Sequence, residues 1–205
     1  MMYKELTSII KSLDFDTISD ERKQKLGKLI EYISSKLKKA QQVNLCFICT
    51  HNSRRSQFSQ VWTEVAAYYN GIDVKVYSGG IEVTAFNERA VESLRRFGFR
   101  IIKEENSDNP KYKVYYSDEI DPIVALSKLF NDPSNPKNNF AAVMTCSSAD
   151  KNCPVVPGAE IRIPILYEDP KKYDDTDQEE IVYDKRSQQI ATEMFYIFSK
   201  VKSNL

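Results

Sequence analysis

The sequence predicts an α/β fold, a small parallel sheet with helices on both faces that follows an N-terminal helical hairpin. Apolar or alternating strand-like runs at 43–49 and 72–77 are each followed by a helical pattern, at 55–69 and 87–97. A further apolar run at 140–145 precedes the closing amphipathic helix. Strand, helix, strand, helix is the order of a parallel α/β sheet, whose ligands bind outside the carboxyl ends of the strands.

Composition excludes several classes of function. The 205 residues are 41% hydrophobic, enough for a sizeable core, and Lys+Arg and Asp+Glu are both 29. Because no net charge would recruit nucleic acid or an anionic membrane, we expect neither as a partner. The chain has no signal-like start and no apolar run of membrane-spanning length, so we expect a cytoplasmic protein, whose four cysteines are chemical rather than structural.

The start of the chain reads as two amphipathic helices within residues 3–40, with Thr17 or Ser19 as candidate N-cap of the second. We therefore divide the chain into a helical extension, 1–42, and a catalytic domain, 43–205. An apolar stripe mostly signals packing, so a stabilising or dimerising appendage is favoured over a regulatory one.

The most informative stretch surrounds Cys49, which sits where the first strand gives way to a loop. Arg55 follows six positions later and Ser56 comes next, a C-x5-R-S arrangement. The loop's N–H groups and the helix N-terminus can form a concave site for a tetrahedral oxyanion, with the Arg55 fork on two of its oxygens. Positive potential there favours a Cys49 thiolate, an in-line nucleophile. The predicted oxyanion-binding residues are Thr50, His51, Asn52, Ser53, Arg54, Arg55 and Ser56.

A second cysteine pair follows the strand at 140–145. Cys146 comes directly after the strand, and Cys153 lies seven positions further on, before Pro154 in a polar loop. Two cysteines so spaced cannot bond in a rigid helix but can meet if the segment moves, so a movable loop is implied. The alternative is that both are inert core residues. Cys46, inside an apparent strand, is assigned to the core.

Three segments resemble a known family. Cys49-Thr-His-Asn-Ser-Arg-Arg-Ser-Gln57 resembles the low-molecular-weight protein tyrosine phosphatases, most closely their thioredoxin-coupled arsenate reductases, which usually have Gly at His51 and often Cys at Arg54. Thr145-Cys-Ser-Ser-Ala-Asp-Lys-Asn-Cys-Pro154 resembles the redox segment of those reductases, and Asp169-Pro170 their general-acid loop. The resemblance covers roughly residues 43–200.

The resemblance implies an arsenate reductase. Cys49 would attack arsenate held by Arg55, Asp169 would protonate the departing oxygen, and Cys146 and then Cys153 would carry the disulfide to thioredoxin. Glu168 is the fallback for Asp169. We expect no cofactor, and we make no metal prediction, since the lone histidine, His51, lacks partners.

Two other functions remain open. A phosphatase acting on phosphotyrosine or small phosphoesters would use Cys49, Arg55 and Asp169, with water resolving a phosphocysteine. Arg54 and the long polar stretch at 100–139 favour it; that stretch is either a lid or, by default, a surface excursion. The third possibility is a non-catalytic protein that binds an oxyanion or senses oxidation.

Overall fold

A computed structural model describes residues 1–152 and 155–205, so Cys153 and Pro154 lie outside the described part. The helices and strands fall into an N-terminal hairpin, a parallel sheet with its helices, and an inserted antiparallel sheet. In chain order they are α1 (Lys4–Lys11), α2 (Asp20–Lys38), β1 (Asn44–Cys49), α3 (Arg55–Asn70), β2 (Lys75–Gly80), α4 (Glu88–Arg96), β3 (Arg100–Lys103), β4 (Tyr112–Tyr115), β5 (Ile123–Ala125), β6 (Phe140–Met144), α5 (Ser147–Asn152), β7 (Ala159–Pro164) and α6 (Glu179–Asn204).

The central sheet is parallel and has the strand order β2-β1-β6-β7. Ile48 pairs with Gly79 of β2 on one side and with Met144 of β6 on the other. Cys49 and Cys146 therefore leave neighbouring strands at the same edge of the sheet, the carboxyl edge at which parallel sheets bind ligands.

Both faces of the sheet are covered by helices, which confirms the predicted fold class. Leu45 and Phe47 of β1 point to one face, in a large core that includes residues of α3, α4 and α6. Cys46 and Ile48 point to the other face and pack with Ala149 of α5 in a smaller cluster. The alternation follows from the period of two along a strand, and it explains why β1 is apolar throughout.

The N-terminal hairpin packs on the catalytic fold. Ser19 is the N-cap of α2, its hydroxyl accepting from the Arg22 N–H at 3.2 Å, so Ser19 rather than Thr17 begins the helix. Leu26, Leu29 and Ile33 of α2 are fully buried in the core that α6 shares. The hairpin is thus docked on the fold, and the boundary at residue 42 stays a prediction.

Two expectations about irregular segments were wrong. Residues 100–139 are not a surface excursion, because β3, β4 and β5 form an antiparallel sheet that buries Tyr112 and Val114. After β5 the chain returns to the central sheet and forms two hydrogen bonds with β2. Gly80 N–H donates to Lys128 O at 2.8 Å, and Phe130 N–H donates to Gly80 O at 2.9 Å. The stretch after Cys146, predicted as a loop, begins with helix α5.

Candidate active site

Cys49 lies at the end of β1 with its side chain buried, and its thiol is free. The loop that follows turns sharply at Asn52, whose φ of 48° lies in the left-handed region that asparagine tolerates better than most residues. This turn aims the Asn52 main-chain N–H at the sulfur of Cys49, 3.2 Å away. The loop thus presents a backbone donor to the sulfur.

A second donor reaches the same sulfur from α3. The Ser56 hydroxyl oxygen lies 3.1 Å from the Cys49 sulfur and accepts from Asn52 Nδ2 at 2.8 Å. The Lys128 main-chain N–H donates to Asn52 Oδ1 at 3.0 Å, which fixes which end of the amide faces Ser56. The Ser56 hydroxyl and the Asn52 main-chain N–H thus both lie within hydrogen-bond distance of the Cys49 sulfur.

Residues outside the loop orient its peptide groups by hydrogen bonds to their carbonyl oxygens. Thr50 O accepts from Ile81 N–H at 2.8 Å, His51 O from the Ser127 hydroxyl at 2.8 Å, and Ser53 O from Asn87 N–H at 3.0 Å. In a trans peptide the N–H of the next residue points opposite to the carbonyl, so the N–H groups that follow these three carbonyls face the inside of the loop. The binding of an oxyanion by this cradle of N–H groups stays a prediction.

Gly80 allows the loop to pass close to β2. A Cβ at this position would lie 2.8 Å from both Asn52 N and Thr50 O, a contact that backbone atoms do not permit. The glycine is therefore needed for the close approach of two backbones, one of the uses of glycine in a strand.

Arg55 and Asp169 are in direct contact. Arg55 Nη2 forms an ion pair with the Asp169 carboxylate, and Nη1 donates to Tyr167 O at 3.2 Å. Asp169 also caps the 3₁₀ turn Pro170–Tyr173 by accepting from Lys171 N–H at 3.1 Å. Glu168, the fallback, instead lies 3.5 Å from Lys172 Nζ at the surface. Asp169 is thus the better placed carboxylate, although its role stays a prediction.

Two of the predicted oxyanion-binding residues point their side chains elsewhere. Arg54 donates to Asp174 Oδ2 at 2.9 Å and to the hydroxyl of Tyr183, so its guanidinium is held by α6 and the segment before it. His51 Nε2 lies 3.3 Å from Glu82 Oε2. Any contact of His51 or Arg54 with an oxyanion would therefore come through the main-chain N–H groups.

Cys146 lies beside the Cys49 loop. Its sulfur is 3.4 Å from the Thr50 hydroxyl oxygen and accepts from Ala149 N–H of α5 at 3.3 Å, and both cysteine side chains pack in the smaller cluster. Cys46 is different, because full burial raises the pKa of its thiol to about 12 and keeps it protonated. Cys153, the third member of the predicted relay, lies outside the described residues.

Two clefts open beside the loop. The first, of about 450 Å³, is bounded by His51 and Ser53 of the loop and by Phe86, Lys103 and Tyr112. The second, of about 470 Å³, has Arg55, Asp169 and Lys172 on its walls, with Ser147 of α5 and Leu166. Part of the inserted segment thus forms a wall next to the cradle.

Neither a metal-binding cluster nor a membrane-spanning helix occurs within residues 1–152 and 155–205. No group of three or more His, Cys, Asp or Glu side chains in these ranges is placed to hold a metal ion. None of the helices in the same ranges has the length and apolar character of a membrane span.

Comparison with known proteins shows a sequence similarity and a shared fold. No family model matches the chain. Arsenate reductase 2 of Staphylococcus epidermidis is 32% identical over 111 residues, 54% of this chain and 66% of the relative, and an arsenate reductase of Staphylococcus aureus is 34% identical over the same shares. The structure of a low-molecular-weight protein tyrosine phosphatase from T. tengcongensis matches 80% of this chain and all of its own, with a TM-score of 0.52 at 16% identity.

The chain is similar in sequence to arsenate reductases and has the fold of the low-molecular-weight protein tyrosine phosphatases. The structural match shows the fold, while the sequence match shows the closeness to the reductases. The aligned region is just under two thirds of the reductases' length.

Several residues of the site carry no signal in the sequence. Lys128 orients Asn52 from the inserted segment, and Tyr167 accepts from Arg55 through its carbonyl oxygen. Both act through main-chain atoms, which every residue type has, so the sequence does not reveal them. The sequence assigns Asn52 and Ser56 to the oxyanion, whereas the Ser56 hydroxyl also faces the Cys49 sulfur and the Asn52 amide donates to that hydroxyl.

Proposed function

We propose that the chain is an arsenate reductase that uses a cysteine nucleophile and a three-cysteine disulfide relay. The observation that carries the proposal is the arrangement of two free cysteines around Thr50. The main-chain N–H of Asn52 donates to the Cys49 sulfur, and the Thr50 hydroxyl lies 3.4 Å from the Cys146 sulfur. A phosphatase needs the first cysteine only, whereas a reductase needs a second thiol within reach of it.

In the first step the Cys49 thiolate attacks arsenate held by the loop N–H groups and Arg55. A sulfur–arsenic bond forms and an arsenic–oxygen bond breaks, and Asp169 protonates the oxygen so that it leaves as water. Asp169 forms an ion pair with Arg55 in the free protein, so the Arg55 guanidinium would contact both bound arsenate and Asp169.

In the second step Cys146 attacks the Cys49 sulfur. The new sulfur–sulfur bond displaces arsenic, which keeps the electron pair of the broken sulfur–arsenic bond and leaves as arsenite. Arsenic is reduced by two electrons, and the two cysteines are oxidised to one disulfide. The helix that follows Cys146 donates the Ala149 N–H to its sulfur.

Cys153 then attacks Cys146, releasing Cys49 and forming a Cys146–Cys153 disulfide that thioredoxin reduces. Helix α5 occupies most of the segment between the two cysteines, and its six residues rise by about 9 Å. A disulfide requires Cα atoms within about 7 Å, so this step requires the two cysteines to come that close.

A second candidate function is the hydrolysis of phosphoesters through a phosphocysteine on Cys49. The cleft of about 450 Å³ beside the cradle favours it, because a tetrahedral oxyanion alone would fill only a small part of this space. Phe86 and Tyr112 on its walls could pack against an organic leaving group.

One experiment tests the two functions together. The wild type and the variants Cys49→Ser, Cys146→Ser and Cys153→Ser are assayed with arsenate plus a thioredoxin system, and separately with an aryl phosphate. We expect each variant to lose arsenate turnover, whereas Cys146→Ser and Cys153→Ser keep any phosphate cleavage. Cys46→Ala is the matched control, since Cys46 is buried on the same face but has no place in the relay.

The outcomes separate the hypotheses. Full arsenate turnover by Cys146→Ser would overturn the reductase proposal. Phosphate cleavage by a wild type that does not reduce arsenate would favour the phosphatase, and the absence of both activities would favour a binding or sensing protein.

A further inference from the structure

Tyr167 connects the carboxyl edge of the sheet to the interior of the protein. Its N–H donates to Thr145 O, next to Cys146, at 3.0 Å, and its carbonyl oxygen accepts from Arg55 Nη1 at 3.2 Å. Its hydroxyl, at the far end of a buried ring, donates to Glu193 Oε2 of α6 at 2.7 Å. The position of the Tyr167 backbone thus determines where Arg55 finds its acceptor.

The carboxylate that receives the Tyr167 hydroxyl is held by the N-terminal hairpin. Glu193 is only 2% exposed, and Arg22 of α2 grips both of its oxygens, with Nε at 2.9 Å and Nη2 at 2.7 Å. The Arg22 guanidinium also lies over the Tyr167 ring, 4.8 Å from its centroid. This bidentate pair neutralises a buried charge that would otherwise be costly.

We propose that Arg22 and Glu193 are positioning residues that hold Tyr167, and through it Arg55 and the Asp169 turn, in the geometry that binds the oxyanion. The N-terminal hairpin would then take part in forming the site rather than serve only as a packing appendage. The proposal rests on the proposed function to the extent that both require oxyanion binding at the Cys49 loop.

The physical reason is the cost of leaving Glu193 without its cation. Without Arg22 the buried carboxylate would draw in water or turn toward the surface, and the Tyr167 hydroxyl would lose its fixed acceptor. Burial raises the pKa of Tyr167 well above its usual value, so the phenol stays a neutral donor. A shift of its backbone would be passed to Arg55 over the single hydrogen bond between them.

The chain supplies a matched control for a merely structural role of this contact. Tyr32 and Lys36 of α2 both bond Glu160 of β7, each at 2.7 Å. This is again a tyrosine hydroxyl and a cation on one glutamate, joining α2 to the fold. Glu160 lies near the amino end of its strand, whereas the Cys49 loop lies at the carboxyl edge of the sheet.

The test measures oxyanion binding without turnover. Alkylation of Cys49 by iodoacetamide is followed by peptide mass mapping at rising concentrations of inorganic phosphate, together with the melting temperature. The variants are Tyr167→Phe, Arg22→Met and Arg22→Lys, and the controls are Tyr32→Phe and Lys36→Met. If Tyr167→Phe does not fold, Arg22→Met tests the same contact from the opposite side of Glu193.

We expect the phosphate concentration for half protection to rise about tenfold in Tyr167→Phe and Arg22→Met, the scale of one hydrogen bond to a charged group. Arg22→Lys should recover part of the loss, because it restores the charge. The controls should lower the melting temperature less, because Glu160 is more exposed than Glu193, and should keep the wild-type protection.

The results distinguish failure of the positioning role from failure of the proposed function. Wild-type protection in both Tyr167→Phe and Arg22→Met would overturn the positioning role alone. The same loss of protection in the controls would also overturn it, since docking of the hairpin as such would then be responsible. A wild type that phosphate does not protect would overturn the proposed function, and the positioning role with it.

Discussion

The Ser56 hydroxyl stands between the Asn52 amide and the Cys49 sulfur, 3.1 Å from the sulfur and 2.8 Å from the amide nitrogen. An amide nitrogen only donates, so the serine oxygen is the acceptor of that bond. The serine proton is not used in that bond and is free to be donated to the sulfur. The Ser56 hydroxyl and the Asn52 main-chain N–H thus meet at one sulfur.

Replacing Ser56 by alanine should therefore make Cys49 less reactive. Loss of one hydrogen bond to a charged group costs about 1.5 to 3 kcal/mol, so we expect alkylation of Cys49 at pH 7 to slow at least about tenfold. The measurement is the iodoacetamide rate at Cys49. Ser59→Ala is the control, because Ser59 donates to Arg55 O within the same helix, at 2.8 Å. Equal rates in both variants would contradict the role given to Ser56.

Substitution of Arg54 tests whether the Cys49 loop binds an oxyanion through its main-chain N–H groups. Its guanidinium bonds Asp174 and Tyr183, and its side chain is only 10% exposed. Removing one partner of a buried pair costs about 3 to 5 kcal/mol, and the partial exposure of Asp174 puts the value for Arg54→Met near the lower limit, about 3 kcal/mol. Urea unfolding measures this loss, and Arg54→Met with Asp174→Asn should recover part of it.

The same Arg54→Met variant should keep its oxyanion site, since only the main-chain N–H faces the loop. Protection of Cys49 by inorganic phosphate, measured on the folded protein, should stay within about twofold of wild type, a difference under about 0.5 kcal/mol. A loss of protection as large as that of Arg55→Ala would show that the Arg54 side chain itself contacts the anion.

The sequence predicts the parts of the site that depend on neighbouring positions along the chain. Cys49, the loop and Arg55 lie within one strand–loop–helix unit, so their spacing contains the geometry. Lys128 and Glu193 are not predictable in this way, because each bonds a residue far away in the sequence, Asn52 and Arg22 respectively. Such pairs exist only once the whole chain has packed, and a single sequence carries no periodic signal for them.

The strand boundaries show a similar limit. The alternating pattern predicts a strand at 72–77 with Ser78, Gly79 and Gly80 as its end, yet β2 is Lys75–Gly80 and both glycines pair with β1. Turn-forming residues predict a stop, but here they permit close contact, since a Cβ on Gly79 would lie 2.3 Å from Phe130 Cα. Tertiary packing decides between two uses of glycine that look alike in the sequence.

Glu64 on α3 gives the protein a pH dependence that is separate from catalysis. Burial raises the pKa of its carboxyl group from 4.5 to about 7, and the phenols of Tyr77 and Tyr116 lie close enough to sense its charge. The folded protein therefore binds more protons than the unfolded chain between these two values. The contribution of Glu64 to the free energy of unfolding is full below pH 4.5 and is lost as the pH rises through about 7.

The substitution Glu64→Gln should remove this dependence, because the amide carries no charge at any pH. Between about pH 5 and pH 8 we expect the unfolding free energy of the wild type to fall by about 2 to 3 kcal/mol relative to the variant. Thermal and urea unfolding across this pH range provide the measurement. Glu31→Gln is the control, since Glu31 is exposed on α2 and should leave the wild-type slope unchanged. If the unfolding free energies of Glu64→Gln and the wild type change with pH in parallel, the Glu64 carboxyl is charged in the folded protein. If the wild type instead gains stability over the variant as the pH rises, the pKa of Glu64 is lowered rather than raised.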